Sequence, residues 1–292
     1  MATNVNVSSS FDGTAHKELF VQLFKKAETI DKGLISLLPN VLGVIKLPKL
    51  TYSASFAPAS CGWNPNSTIN LTEKELTVKK FQLQDEICKD EFAHTFQAQQ
   101  YGMFSAHAEI PTNIKEAILL QILNVASLGI DNYIWNSTTT GLFDQFEADT
   151  EVPKIAGVVI TPQNVVAELD KVYQALVPEM DGEPDVKMVV SRNVMKAYKS
   201  AQASMNGNTT VGDKSPDYMG QILESVSNYP ANTIAAYRVS NVYFGFGIES
   251  DSTNIRISDD ESRLDGNVRY DLKTSMGQTY VWGGEIVYYR TV

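Results

Sequence analysis

The residues best spaced for chemistry are Glu86, Asp90 and His94, which would share one face of a helix at four-residue steps. Two carboxylates and an imidazole in that arrangement can chelate a metal ion or seat a general base. The residues around Glu86, from 83 to 88, are more typical of a strand, in which side chains four residues apart lie about 13 Å from each other and cannot share one ion. We therefore interpret the group as a solvated acidic face, and Cys88 as a small buried apolar residue rather than a nucleophile.

Three loops carry weaker signals for binding. The segment GNTTVGDKS (207–215) is close to a phosphate-binding loop, but an extra Asp separates Gly212 from Lys214 and no apolar strand precedes it. The acidic loops 249–251 and 259–261 offer carboxylates to a hard cation without a dense ligand spacing, so we interpret them as solvated turns. The serine-hydrolase elbow and the zinc-protease helix motif do not occur. The sequence therefore predicts no catalytic, cofactor-binding or metal-binding residues.

Aromatic residues near the end of the chain admit two interpretations. Tyr280, Trp282, Tyr288 and Tyr289 could form a platform on which bases stack. Such platforms are interleaved with basic residues that track the phosphates, and these are lacking among the four aromatics. We therefore expect the aromatics to lie in a sheet core or at a subunit contact.

Composition excludes several classes of protein. The chain has 292 residues, of which 43% are hydrophobic and 20% charged, so it can build a core of one large domain or two modest ones. Its 24 Lys and Arg against 34 Asp and Glu give a net charge of −10. That balance argues against binding nucleic acid through its phosphates and against binding an anionic membrane.

Targeting and redox signals are sparse. Cys61 and Cys88 are the only cysteines, so no disulfide framework is expected and a reducing compartment is favoured. Residues 1–11 lack the pattern of a secretory signal. The most apolar stretch, 114–134, contains too many charged and polar residues to span a bilayer.

The first third of the chain predicts a helix followed by a long hairpin. Apolar residues at helical steps predict a helix over 14–31. Residues 47–56 and 76–87 then predict two antiparallel strands, joined by a tip that is poor in large apolar residues. Because an isolated two-stranded arm is at best marginally stable, we expect another subunit to cover it. The alternative is an ordinary loop packed on its own domain.

The middle of the chain predicts helices. A short helix is expected over 90–102, and a capping-box-like start at Asn113 begins a long helix that ends near Trp135. This long helix would measure about 33 Å. Its apolar surface is so broad that it must be buried on more than one side.

From Pro153 the pattern alternates between helices and strands. A helix is expected from Thr161, with Thr as cap and Pro in the first turn, until Pro178. A strand follows at 186–190, and Ser191 begins a helix that ends near Ser204. A short apolar run lies at 158–161, and five further strands are predicted near the end: 233–238, 241–246, 254–258, 267–274 and 279–289.

The order of these elements resembles the major capsid protein of tailed bacteriophages, the Hong Kong ninety-seven type fold that encapsulins share. Residues 64–92 resemble the second strand of the family's extended loop and the start of its peripheral domain. Residues 110–141 resemble the long spine helix and the polar turn after it. The axial domain is matched by TPQNVVAELDKVYQAL and DVKMVVSRNVMKAYKSA, and the closing strands by NVRYDLKTSMGQTYVWGGEIVYY.

The resemblance implies an α+β fold with five regions. They are an N-terminal arm (1–45), an extended β-hairpin loop (46–80), a peripheral domain (81–152) with a spine helix near 113–135, an axial α/β domain (153–275) and closing strands (276–292). Only about 45 residues precede the hairpin, so the resemblance implies an uncleaved protein or a separate scaffold. Some members cross-link a Lys to an Asn, but no such pair stands out here.

The implied function is self-assembly into the pentamers and hexamers of an icosahedral head that encloses double-stranded DNA. Assembly would take place in the host cytoplasm, and the product would be the virion. The partners that the resemblance implies are scaffolding, portal and decoration proteins. For this chain it implies no enzymatic activity, no cofactor, no specific nucleic-acid site and no membrane. Two alternatives stay open: an encapsulin-like cellular shell, and a stand-alone hydrolase or binding protein with an unrecognised site.

Overall fold

The computed structural model describes residues 27–54, 56, 58, 61–62, 66–88, 112–206, 216–247, 256–258 and 267–291. The helices in these ranges are α1 (Glu28–Asp31), α2 (Thr112–Asn136), α3 (Leu142–Ala148), α4 (Val165–Gln174) and α5 (Arg192–Asn206). The strands are β1 (Ser36–Leu38), β2 (Val44–Ala54), β3 (Ser67–Thr77), β4 (Lys79–Cys88), β5 (Lys154–Gly157), β6 (Val186–Ser191), β7 (Asp217–Tyr218), β8 (Gln221–Val226), β9 (Ile234–Arg238), β10 (Val242–Phe246), β11 (Arg256–Ser258), β12 (Asn267–Tyr280) and β13 (Ile286–Thr291).

The strands form two sheets and a separate hairpin. One sheet has the order β1-β10-β12-β11, with β4 paired along the other side of β12. The second has six strands in the order β5-β13-β9-β6-β8-β7. Among the strands of the described residues, β2 and β3 pair with each other alone. The architecture is therefore α+β, as the sequence predicts.

The long helix α2 confirms the predicted spine-like element, with 25 residues against the predicted 22 or so. Ile122, Ile130 and Ile134 on it are buried, whereas Val125 and Leu128 are 53% and 50% exposed. The described part of the chain thus covers one side of this apolar helix and leaves another side open.

The buried carboxylate of Asp131 on α2 fixes the start of α1. Its two oxygens accept the backbone N–H groups of Glu28 and Thr29, at 2.9 and 3.1 Å. The Nε1–H of Trp135 donates to Thr29 Oγ1 at 2.9 Å. Burial raises the pKa of Asp131 despite these hydrogen bonds, and the nearby Glu28 adds to the rise. A four-residue helix cannot form alone, so α1 depends on this cap from a distant segment. Of the helix predicted over 14–31, residues 14–26 lie outside the described residues, and Ala27 is extended, so the helix begins at Glu28.

An aromatic core joins α2 and α3 to both sheets. The Trp135 and Phe143 rings each meet the ring of Tyr229 edge-on, with centroids 4.8 Å apart. Phe143 also stacks on Tyr288 at 5.4 Å. Such geometry adds to the gain from burying large apolar area, so this cluster is the centre of the fold.

A second core lies where α4 and α5 pack on the six-stranded sheet. Leu169, Val172 and Val194 are buried there with Tyr289. The hydroxyl of Tyr289 donates to Glu168 Oε2 at 2.9 Å, which gives this buried carboxylate a partner inside the apolar layer. The helix–strand–helix order that the sequence predicts for this region is confirmed.

The predicted partner strands of the hairpin were wrong. Strand β2 pairs with β3, from Val44 opposite Thr77 to Ala54 opposite Ser67. The segment predicted as one strand over 76–87 is interrupted at Val78, whose N–H donates to Gly43 O and closes the hairpin. Beyond this point, β4 pairs with β12 instead. Local alternation could not reveal this change of partner, because both halves alternate alike.

Other elements differ from the prediction as well. Helix α4 begins at Val165, after a turn in which Thr161 O accepts the N–H of Val165 at 3.0 Å and Asn164 Oδ1 accepts the N–H of Thr161 at 2.7 Å. Strands β5 and β8 were not predicted. The strand predicted over 279–289 is broken, because Asn241 Oδ1 accepts the N–H groups of two consecutive residues at 281–282 and turns the chain. The helix predicted over 90–102 lies outside the described residues.

The buried side of α2 gives a direct test of the helix orientation. Ile122→Asp would place an unpaired carboxylate at a site that is 5% exposed, so we expect the free energy of unfolding to fall by more than about 3 kcal/mol. The matched control Val125→Asp changes a half-exposed residue one turn away and should cost about 1 kcal/mol or less. Chemical denaturation of the unassembled chain measures both, and equal losses would contradict this orientation.

Candidate assembly interface

The root of the β2–β3 hairpin lies on two glycines of the first sheet. Gly245 in β10 and Gly277 in β12 are directly paired. A Cβ at Gly245 would lie 2.7 Å from Leu76 Cδ2, and one at Gly277 only 2.2 Å from the backbone oxygen of Thr77. Leu76 is fully buried at this contact. The missing side chains therefore allow the hairpin backbone to cross the sheet at close range.

Beyond its root, the hairpin has one apolar face. Leu50 lies opposite Leu71, and Tyr52 lies opposite Ile69, so the four side chains share a face. They are 57%, 66%, 62% and 66% exposed in that order. We call these four residues the apolar strip. The opposite face at the same level carries Thr51 and its partner Asn70, so the hairpin is amphipathic.

The apolar strip is incompletely buried by its own chain. Eleven residues in each strand correspond to a hairpin of about 35 Å. Completing the burial of each strip side chain would stabilise a complex by about 1 kcal/mol. With Val125 and Leu128 of α2, the strip leaves two apolar surfaces that another protein chain can cover.

The sequence signal for the strip was overlooked. Apolar residues alternate at Leu50 and Tyr52 and again at Ile69 and Leu71, which is the period of a strand with one apolar face. The sequence prediction places Ile69 and Leu71 in the tip between the two strands, and it therefore misses this face. In the structure, 67–70 belong to β3.

The residues first considered for metal or base chemistry are not brought together as a described site. Glu86 lies on β4, and its Oε2 is 3.1 Å from Nε of Arg269 on β12. The neighbouring Asp85 Oδ2 accepts the Tyr270 hydroxyl at 2.9 Å, and burial together with Asp85 raises the pKa of Tyr270 to about 12. For Glu86 this confirms a solvated, ion-paired surface. Asp90 and His94 lie outside the described residues.

The aromatic residues near the end of the chain confirm the sheet-core interpretation. Tyr280, Tyr288 and Tyr289 are buried. Burial raises the pKa of Tyr288 and of Tyr289 to about 12, so both hydroxyls remain protonated at neutral pH. Trp282 is half-buried and faces Lys49 on the hairpin, whose Nζ lies 5.1 Å from the centre of the indole ring.

The remaining sequence candidates lie outside the described residues: the loops at 207–215, 249–251 and 259–261, and the side chain of Cys88. Within the described ranges, no group of three His, Cys, Asp or Glu side chains is placed to hold a metal ion. No helix in those same ranges is long and apolar enough to cross a membrane.

A cleft of about 530 Å³ lies between the hairpin root and the body. Its wall is a network of amides: Gln278 Nε2 donates to the backbone oxygens of Tyr133 and Thr140, each at 2.9 Å. Gln145 Nε2 donates to Thr140 O as well, at 2.8 Å. These bonds tie the end of α2 to β12, so the cleft wall has a structural role in the fold.

Comparison with known proteins identifies the fold. No protein-family model matches the sequence, and no curated protein matches it significantly. Among solved structures, that of Gordonia phage Cozz matches with a TM-score of 0.62 and 13% identity, over 99% of this chain and 91% of that one. The capsid of an empty GTA particle matches with a TM-score of 0.61 and 12% identity, over 99% and 95%. A virus-like particle from Pyrococcus furiosus matches with a TM-score of 0.56 and 7% identity, over 95% and 98%.

The chain has the Hong Kong ninety-seven type capsid fold. The matches span nearly the whole chain, so the fold that the sequence resemblance implied is confirmed. Within this fold, the β2–β3 hairpin corresponds to the extended loop that the resemblance implied, and α2 to the spine helix. At these low identities the matches establish the fold, and function has to be argued from the surfaces described above.

The glycine pair under the hairpin root can be tested by substitution. Gly277→Ala would place a Cβ against the backbone of Thr77, which must move, so we expect a loss of about 2 kcal/mol in the free energy of unfolding. Faster hydrogen exchange should accompany it in residues 76–80. Gly284→Ala is the control, because a Cβ there meets nothing within 4 Å. Denaturation and exchange mass spectrometry measure both variants, and an unchanged Gly277→Ala protein would show that the close approach is not required.

Proposed function

We propose that this chain is a shell-forming capsid protein, the major building subunit of a bacteriophage head. The observation that carries the proposal is the apolar strip on a hairpin whose root is fixed to the body. The strip exposes Leu50, Tyr52, Ile69 and Leu71 on one face, where a second copy can bury them. The similarity to assembled capsid and virus-like particles over nearly the full chain supports self-association of this kind.

We also propose, from the resemblance to the capsid family, how the copies assemble and what they enclose. Copies would form pentamers and hexamers of an icosahedral shell around double-stranded DNA, assembled in the host cytoplasm with scaffolding, portal and decoration proteins. A net charge of −10 is favourable in a shell that encloses DNA, because an acidic surface does not attract the DNA phosphates. We also propose that the role is structural rather than enzymatic.

We propose the same five regions for the chain. The hairpin Val44–Thr77 supports an extended loop near 46–80, and α2 supports a peripheral domain that ends before β5. The six-stranded sheet with α4 and α5 supports an axial domain from 153. It incorporates β13, so the closing strands complete the sheets of the two domains.

A cellular shell of the encapsulin type is the second candidate, favoured by the similarity to the virus-like particle from Pyrococcus furiosus. Both candidates use the same surfaces. The contents of purified particles separate them: packaged DNA supports the phage head, and packaged protein supports the compartment.

The test of the proposed function is a change to the strip. Tyr52→Thr with Ile69→Thr removes one apolar cross-strand pair but keeps residues that favour strands. We expect a folded chain with an unchanged circular dichroism spectrum that no longer forms particles, since each copy loses about 2 kcal/mol of burial. Sedimentation velocity measures assembly, with and without a co-expressed scaffolding protein.

The matched control is Ser53→Thr with Asn70→Thr, which alters the opposite face of the same hairpin. It should form particles like the unaltered chain. Normal assembly of the strip variant would show that the strip is not an interface. An unaltered chain that stays monomeric under every condition would contradict the proposed function itself.

A further inference from the structure

Two lysines on the inner face of the hairpin reach the body of their own chain. Lys49 Nζ lies 2.6 Å from Glu151 Oε2 and 5.1 Å from the centre of the Trp282 ring. Lys74 Nζ lies 3.7 Å from Asp149 Oδ2 and 4.8 Å from the centre of the Tyr280 ring. Each ammonium group therefore contacts one carboxylate and one aromatic ring.

The lysines lie on different strands but on one face. Leu47 pairs with Lys74 and Thr72 with Lys49, so the two lysines occupy neighbouring rows. The residues of the apolar strip belong to the opposite face, since strand neighbours alternate in direction. Contact of the lysines with the body consequently directs the strip away from the body.

The surface of the body that the lysines contact is held in place by interactions that do not involve the lysines. Asp149 Oδ1 accepts the N–H of Glu151 at 2.9 Å, and Oδ2 accepts the Tyr280 hydroxyl at 2.8 Å. A Cβ at Gly283 would lie 2.8 Å from the Cβ of Glu151, so the acidic loop presses on the turn after Trp282. Burial would raise the pKa of Asp149, but these hydrogen bonds and the charges of Lys74 and Lys49 lower it overall, so the group stays ionised at neutral pH.

The strength of the contacts suits a positioning role. Exposed ion pairs and cations over aromatic rings are each weak contacts, because water competes with them and salt screens them. The side chain of Lys49 is only 19% exposed, which reduces screening by salt. The two lysines belong to neither buried core, so we expect the chain to fold without these contacts. A hairpin held only at its root would be free to change direction, and two further points of attachment would remove that freedom.

We propose that Lys49 and Lys74, with Asp149, Glu151, Trp282 and Tyr280, form an intrachain clamp that fixes the direction of the hairpin and presents the apolar strip to a second copy. The clamp regulates the surface assigned under the proposed function and rests on that function. It makes assembly sensitive to ionic strength through a contact inside each subunit.

The experiment compares two neutralised variants. Lys49→Met with Lys74→Met removes the clamp. Lys80→Met with Lys196→Met removes the same charge at two exposed positions that belong neither to the clamp nor to the apolar strip. Spin labels at Ser53→Cys and Ser200→Cys, in a background with Cys61→Ser and Cys88→Ser, report the distance from the hairpin to α5 in the unassembled chain. Light scattering gives the concentration at which particles form.

For the clamp variant we expect a broader distance distribution, an unfolding midpoint lowered only slightly and an assembly concentration raised about tenfold. The control should match the unaltered chain. Lys49→Glu should behave like the clamp variant, and the exchange Lys49→Glu with Glu151→Lys should restore much of the narrow distribution and of assembly.

Two results would overturn the clamp. A clamp variant equal to the control shows that the lysines do not position the hairpin. Lost assembly with an unchanged distance distribution shows that the lysines act at a contact between copies. If the unaltered chain never assembles, the proposed function fails, whereas the spin-label distances still decide whether the clamp holds the hairpin.

Discussion

The close contact between the hairpin root and the Gly245–Gly277 pair determines how the molecule presents its surfaces. Two strands can cross a sheet at this distance only where side chains are missing. On one side of the crossing, β2 and β3 pair with each other; on the other, β4 joins β12 along ten residue pairs. The β2–β3 hairpin would be only marginally stable alone, and this contact makes it an extension of a packed sheet.

The distribution of apolar surface follows from that geometry. The aromatic core around Trp135 and Phe143 is filled entirely by residues of one chain. The second core, under α4 and α5, is filled in the same way. The apolar strip and the open side of α2 are left over. In a monomer, such surfaces would promote non-specific association. In the shell that we propose they would be interfaces, and the lysine contacts of the inner face would keep the strip from folding back on its own chain.

Much of this fold was predictable because its signals are local. The helical period from Asn113 to Trp135 gave α2 almost to the residue, and the alternating pattern around 186–190 gave β6. The change of partner at Val78 was not predictable, because strand alternation does not name the partner strand. Neither was the cap of α1, where Asp131 acts across about a hundred residues. At the candidate interface, alternation marked the strip, whereas the lysine contacts depend on a loop and a turn that meet only in three dimensions.

The central claim is that the apolar strip of one copy is buried by another. A cryo-electron microscopy map of assembled particles, at a resolution that shows side chains, tests it most directly. We expect closed particles in which Leu50, Tyr52, Ile69 and Leu71 pack against a neighbouring copy while Lys49 and Lys74 remain on Asp149 and Glu151 of their own chain. Particles in which the strip faces solvent or its own subunit would show that the strip is not the interface.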